Sequence, residues 1–246
     1  MKPDKDLDYG ERIEFIRKFD SDGGYVVLDN SAIMRVEFAD YSVGSNGQGN
    51  GLITADIHLM RGLAALFREN TSFVFPDYVR TEYREGARNL ERFKYRNGLL
   101  AQQLAHEKHG LEQSMRSVKS VVSPEVAGII PNLERIFCLL SEEFYEKHPH
   151  LRKQRDYKRS LSQSGNEQDD EKILAQAFAL TYEKPTKVVS SDPDFEDIYA
   201  AAFLDSASLP SHGVSMPRNE LQIIKLHPRL VYSELVTLRH LRKKFG

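Results

Sequence analysis

Tyr25-Val-Val-Leu-Asp-Asn-Ser31 is the stretch on which the fold turns. It is entered from Asp22-Gly-Gly24, and its short apolar run, rich in valine, reads as a buried strand after a glycine turn. The run then meets Asp29. In an open parallel sheet, ligands collect in the crevice beyond the carboxyl ends of the strands. An acid at that point is either a turn or cap residue, which aspartate suits well, or part of a site.

Upstream, Glu11 to Phe19 reads as a short helix or a strand. Downstream, Gly44-Ser-Asn-Gly-Gln-Gly-Asn-Gly51 is glycine-rich but lacks the Gly-Lys-Ser/Thr ending of a phosphate loop, and reads as a flexible connector. Ile57, Met60, Leu63, Leu66 and Phe67 form a helical stripe over residues 55–69. Thr71 to Phe75 is a second strand candidate, and Pro76 is suited to opening the next helix. That helical pattern runs on through Leu90, Leu104 and Val118, with Gly86, Gly98 and Gly110 as places to bend or break. Ser123-Pro124 begins another segment and Pro131 restarts it, followed by the amphipathic run Leu133 to Phe144, which could pack internally or against a second subunit. Ser160 to Gln168 reads as a mobile loop, and Asp169 to Leu180 as a helix with acids in its first turn. Lys187 to Val189 and Leu221 to Leu226 read as strands, and the chain ends in a basic helix. Strand–helix alternation in this order implies an α/β domain with a mostly parallel sheet.

Composition narrows the function classes. The 246 residues are 40% apolar and 28% charged, enough for one large domain with its own core. The single cysteine, Cys138, excludes an internal disulfide and fits a reducing, cytoplasmic setting. Met1 to Asp20 alternates acids and bases with no apolar core, so no signal peptide is expected, and no apolar run approaches the roughly 18 residues of a membrane span. The net charge of −2 argues against binding polyanions with the whole surface.

Four acids stand where acids are costly. Asp29 and Asp192 each follow a strand candidate. Asp170 shares a helical face with Leu174 and Ala177, whereas Asp169 turns toward Lys172 and solvent. Glu82 follows Val79 by three on an apolar stripe; a salt bridge to Arg80 or Arg84 is the structural alternative. Several ionised carboxylates share a site only with a counter-cation or with raised pKa values. An all-oxygen site suits Mg²⁺ or Mn²⁺ rather than zinc, and the chemistry of such sites is phosphoryl transfer or phosphodiester hydrolysis.

With these residues in view, the chain resembles the PIN-domain nucleases. The likeness is carried by Tyr25-Val-Val-Leu-Asp-Asn-Ser31, Phe75-Pro-Asp-Tyr-Val-Arg-Thr-Glu82, Asp170-Glu-Lys-Ile-Leu-Ala-Gln-Ala177 and Val188-Val-Ser-Ser-Asp-Pro-Asp-Phe195, in the family's order. The resemblance implies a three-layer α/β/α fold and a metal-dependent nuclease, with an endoribonuclease acting on single-stranded or structured RNA as the leading reading. By matching position, it implies Asp29, Glu82, Asp170 and Asp192 as catalytic, metal-binding carboxylates for Mg²⁺ or Mn²⁺. Asp194 would be an accessory acid, and Ser31 and Ser190 hydroxyls that hydrogen-bond within the site. Asn30 replaces the usual Thr or Ser without removing a ligand. The products implied are a 5′-phosphate and a 3′-hydroxyl, and the chemistry does not need a 2′-hydroxyl, so single-stranded DNA stays open beside RNA. Compact family members are shorter: 87 residues lie between Glu82 and Asp170. The reading is therefore one PIN-like domain over 1–246, with a helical insertion, a long hairpin, over about 95–160 and a C-terminal strand–helix extension over about 205–246. Partners in keeping with it are RNA, a second copy of the chain, and an antitoxin or other regulatory protein.

Lys147, Arg152, Lys153, Arg155, Lys158 and Arg159, with Tyr157 among them, could guide a phosphate backbone and stack a base, or could form a solvated helix end. The C-terminal Arg239, Arg242, Lys243 and Lys244 carry the same two readings. His106 and His109 stand three apart rather than four, which reads as a surface helix, His148-Pro-His150 reads as a helix terminus, and Cys138 reads as core. The alternative function is a catalytically silent nucleic-acid-binding or scaffold protein on the same fold. A phosphatase with a strand-end aspartate would want a second aspartate at position 31, which is serine.

Overall fold

The structure is a computed structural model and describes residues 9–20, 23–33, 49–161, 168–226 and 233–245. Tyr25–Leu28 (β1), Phe73–Val74 (β2), Thr186–Ser190 (β3), Leu221–Leu226 (β4) and Ser233–Val236 (β5) form one sheet in the order β2-β1-β3-β4-β5. The first four are mutually parallel, and β5 closes the edge antiparallel to β4. β1 is buried along its whole length, as its unbroken apolar run requires of a central parallel strand. Beyond β2, Phe75 bridges to Ser117, which lengthens that edge.

Helices flank this sheet. Tyr9–Arg17 (α1) and Gly49–Glu69 (α2) pack on each other, and Asp77–Ser114 (α3) packs on α2. The segment read as helix or strand is therefore helix α1. Of the glycine-rich stretch, Gly44 to Gln48 lies outside the described residues, and Gly49 to Gly51 open α2 rather than a connector.

α3 is helical throughout, but it cannot be straight. Arg84 pairs with Glu112 (2.6 Å) and the Lys108 ammonium lies over the Tyr83 ring (4.8 Å), whereas a straight helix would hold such partners about 40 Å apart. The segment doubles back between residues 84 and 107, so it is a helical hairpin, with Gly86 and Gly98 inside the reversing stretch and Gly110 within the return arm.

After the short Val118–Val121 (α4) comes Pro124–Lys147 (α5), with Ser123 as its cap: the Ser123 hydroxyl accepts from the Val126 N–H (3.3 Å) and Pro124 takes the first position. Pro131 does not restart the helix but lies inside it. A mid-helix proline removes one hydrogen bond. The buried stripe of Ile130, Leu133, Ile136, Phe137, Leu140 and Phe144 outweighs that loss. This face packs internally, with Phe137 against Phe178 (5.6 Å) and Phe203 (6.3 Å), so it is not left for a second subunit. Ser123→Ala is expected to destabilise the protein by about 1 kcal/mol in urea unfolding, and Ser123→Asn by much less.

Pro149–Leu161 (α6) folds back along α5 from a turn at His148. That histidine is a helix terminus as read: its ring Nδ1 bonds the Phe144 carbonyl (2.8 Å) and the ring stacks on Phe144 (4.2 Å). Of the stretch read as a mobile loop, 162–167 lies outside the described residues. Asp169–Leu180 (α7), Asp194–Phe203 (α8), Ser208–Ser211 (α9) and Leu238–Phe245 (α10) complete the fold. α7 and α8 pack with α5, so the helical insertion shares the domain's core, and the C-terminal stretch supplies two strands of the same sheet. Among the described residues, no helix is long and apolar enough to cross a membrane.

Candidate metal centre

The strand order places a topological switch between β1 and β3: the chain leaves β1 for β2 on one side and returns to β3 on the other. Such a switch opens a crevice outside the carboxyl ends of the strands. Asp29 directly follows β1, and Asp192 follows β3 by two residues. α3 leaves the same edge after β2 and carries Glu82 in its second turn. α7 runs back into β3 and so opens at this edge, with Asp170 as its second residue.

Local bonding explains the two strand ends. Asp29 caps a helical turn beginning at Asn30. Its carbonyl accepts from the N–H groups of Ala32 (3.0 Å) and Ile33 (3.2 Å), and its Oδ2 accepts from the Ser31 N–H (3.1 Å). The cap and site readings of this residue are thus not exclusive. The hydroxyls of Ser31 and Ser190 also donate to Oδ2, the latter at 2.9 Å, so every one of these side-chain bonds falls on one carboxylate oxygen. Ser31 Oγ then accepts from the Ser191 N–H (3.0 Å), Ser190 Oγ from the Asp192 N–H (2.9 Å), and Asp192 Oδ1 from the Asp194 N–H (2.9 Å). Two serines thereby stitch the end of β1 to the turn after β3 and fix where the acids stand.

Carboxylate oxygens of Asp170, Asp192 and Asp194 lie within 4.8 Å of one another. Asp29, only 3% exposed, and Glu82 stand outside that set but within its field. Desolvation, then the charges of Asp29, Asp192, Glu171 and Glu82, push the Asp170 carboxyl well above its ordinary 3.8. Asp29 is raised too, chiefly by burial, against the lowering pull of the Ser31 and Ser190 hydrogen bonds. The structure thus brings Asp29, Glu82, Asp170, Asp192 and Asp194 to one edge. Asp194, read as accessory, is one of the three closest together. Of the arginines weighed as partners of Glu82, Arg80 lies 3.8 Å from Asp77 and Arg84 pairs with Glu112 (2.6 Å).

Raised carboxyl pKa values have a defined sign. The folded state binds these protons more tightly than the unfolded chain, so the contribution is fully present below the ordinary carboxyl value and is lost as pH rises through the elevated Asp170 value. A divalent cation relieves the same repulsion. The melting temperature in EDTA is therefore expected to fall from about pH 5 to about pH 8, and added Mn²⁺ to restore it most at the higher pH. Scanning fluorimetry across that range checks both.

The basic run does not lie wholly on the surface. Arg155 is not on the surface: it is 4% exposed, bonds the Glu171 carboxylate, and lies over the Tyr145 ring (4.4 Å). Ser141 donates to the same Glu171 oxygen (2.9 Å). A guanidinium so enclosed cannot guide a substrate backbone. Lys147, Arg152 and Lys153 are exposed, and the side chains of Lys158 and Arg159 lie outside the described residues. Glu171 was missed in the sequence, although the spacing to Leu174, Ala175 and Phe178 places it on a buried face. Cys138 is half-buried rather than core; burial and then Glu171 push its thiol up to about 11, so it is unreactive at neutral pH. Comparison with known families, characterised proteins and solved structures finds no match to this chain.

Proposed function

We propose that this protein is a metal-dependent nuclease that hydrolyses phosphodiester bonds, acting as an endoribonuclease on single-stranded or structured RNA. The observation that carries the reading is the meeting of five carboxylates from four chain segments at the sheet's switch point, three of them within 4.8 Å. Four of them, Asp29, Glu82, Asp170 and Asp192, follow one another in the order of the PIN-domain nucleases that the chain resembles, which supports the same assignment.

The donor set suits a hard cation. It offers only carboxylate oxygens, and three of them lie close enough together that one Mg²⁺ or Mn²⁺ would reach all three. Asp170, Asp192 and Asp194 would hold the ion, with Asp29 and Glu82 completing the charge around it. When bound, such an ion supplies an activated water and offsets charge on the phosphate. The chain's own part is placement. Ser31 and Ser190 hold Asp29 by one oxygen, and the Asp192 turn presents its carboxylate beside Asp194.

End-labelled single-stranded RNA and DNA, incubated with the protein in Mn²⁺, Mg²⁺ or EDTA, test the proposal. Metal-dependent endonucleolytic cleavage leaving a 5′-phosphate is expected, with RNA preferred. Binding of either polymer with no cleavage in any metal would replace the nuclease with a silent binding protein.

A further inference from the structure

Arg155 points inward, and that fixes which face of α6 points outward. Leu151 and Arg155, four apart, lie against α5, and Arg155 is bonded to Glu171 in the first turn of α7, next to Asp170. α6 is thereby held beside the carboxylate edge. His150, Lys153 and Tyr157, at i, i+3 and i+7, form its opposite face, and all three are exposed, Tyr157 by 67%. Arg152 is engaged with Glu142 (3.8 Å), and Asp156 is an exposed acid on the flank, so among the described side chains Lys153 is the outward cation of this face.

The start of α6 meets the C-terminal helix. Phe245 of α10 packs edge-on against Phe144 (5.2 Å) and lies 6.0 Å from the His148 ring at the α5–α6 turn. Lys244 bonds Glu196 (2.9 Å) and Asp197 (3.4 Å) on α8, the helix that opens with Asp194. Leu241 is buried, which turns Arg239, Arg242 and Lys243 outward, and all three are exposed. Two basic segments some eighty residues apart in the chain thus share one corner, and one of them runs from that corner to the acidic edge.

We propose that α6 and α10 form a docking rail for single-stranded nucleic acid, in which Lys153, Arg242 and Lys243 take phosphates and Tyr157 stacks an unpaired base. The rail rests on the nuclease reading for its purpose but not for its test. A single strand is favoured over a duplex because an exposed aromatic on a helix face can stack only on a base that is free of its partner. From His150 to Tyr157 the helix rises about 10 Å, room for about two nucleotides leading to the carboxylates. Arg155 is the anchor of the rail and not a contact to the ligand.

Fluorescence anisotropy with a labelled single-stranded RNA oligonucleotide, in EDTA so that no cleavage intervenes, tests this on the full chain. Tyr157→Ala is expected to weaken binding about tenfold with little change in salt dependence, and Tyr157→Phe to bind as wild type does. Lys153→Ala combined with Arg242→Ala and Lys243→Ala is expected to reduce the slope of log affinity against log salt by about 2, at about 0.7 for each phosphate contact. All these side chains are exposed, so unchanged melting curves show that folding is intact. Wild-type affinity and salt slope in both variants would overturn the rail, whether or not the protein cleaves RNA. Altered binding in a protein that never cleaves would keep the rail and remove the nuclease. Equal affinity for duplex RNA, with Tyr157→Ala without effect, would also overturn it.

Discussion

Asp29→Asn is expected to lower metal-dependent cleavage about a thousandfold or more while leaving the fold intact. The amide keeps a carbonyl oxygen where Asp29 Oδ2 accepts from the Ser31 N–H, and Asn caps a helix about as well as Asp. What the variant loses is a charge 3% exposed among other carboxylates. That charge would act through the cation it helps hold; a cation offsetting charge on a reacting phosphate is worth several kcal/mol, and about 4 kcal/mol is a thousandfold in rate. The same loss relieves repulsion from Asp192 and Asp170, so in EDTA the variant should melt no lower than wild type, and should gain less from Mn²⁺. Cleavage rates and melting curves read the two effects separately. Wild-type cleavage by Asp29→Asn in Mn²⁺ would remove Asp29 from the site.

Arg155→Met is expected to destabilise the protein by about 3–5 kcal/mol, because it strands the wholly buried Glu171 carboxylate without its guanidinium. At this chain length that is about 10 °C in melting temperature. Arg155→Met with Glu171→Met should recover most of the loss, since two apolar side chains replace two desolvated charges. Urea unfolding of the two variants and wild type checks the cycle. A single variant as stable as wild type would show that the pair contributes nothing to holding α6 on α7.

Much of the fold is legible in the sequence because its strands are buried on both faces. Tyr25 to Leu28 and Leu221 to Leu226 are continuous apolar or near-apolar runs, and both are strands at the expected bounds. β5 was not legible: Ser233-Glu-Leu-Val236 is a short edge strand whose first three residues are exposed, so it carries no pattern of burial. Pro131 misled because propensity is local, whereas the packing of Phe137 on Phe178 and Phe203 comes from elements far along the chain. The hairpin in α3 was signalled by its glycines, but its helical backbone hides the reversal until Arg84 is seen beside Glu112.

The candidate site was legible at its strand ends and helix starts, where an acid interrupts an apolar pattern. Its support was less so. The Ser31 and Ser190 network depends on β1 and β3 being neighbours, which no local signal states. Arg155 looked like one more surface cation in a basic run; only its spacing from Leu151 marked it as facing inward.

The proposed function stands on these carboxylates being a site for a hard divalent cation. Calorimetric titration of Mn²⁺ into wild type and Asp170→Asn tests it most directly, with Mg²⁺ as competitor. Saturable binding in wild type, displaced by Mg²⁺ and weakened at least tenfold in the variant, is the predicted result. The same weak heats in both proteins would contradict it, leaving the acidic edge as a cluster held together by Ser31, Ser190 and its own protons.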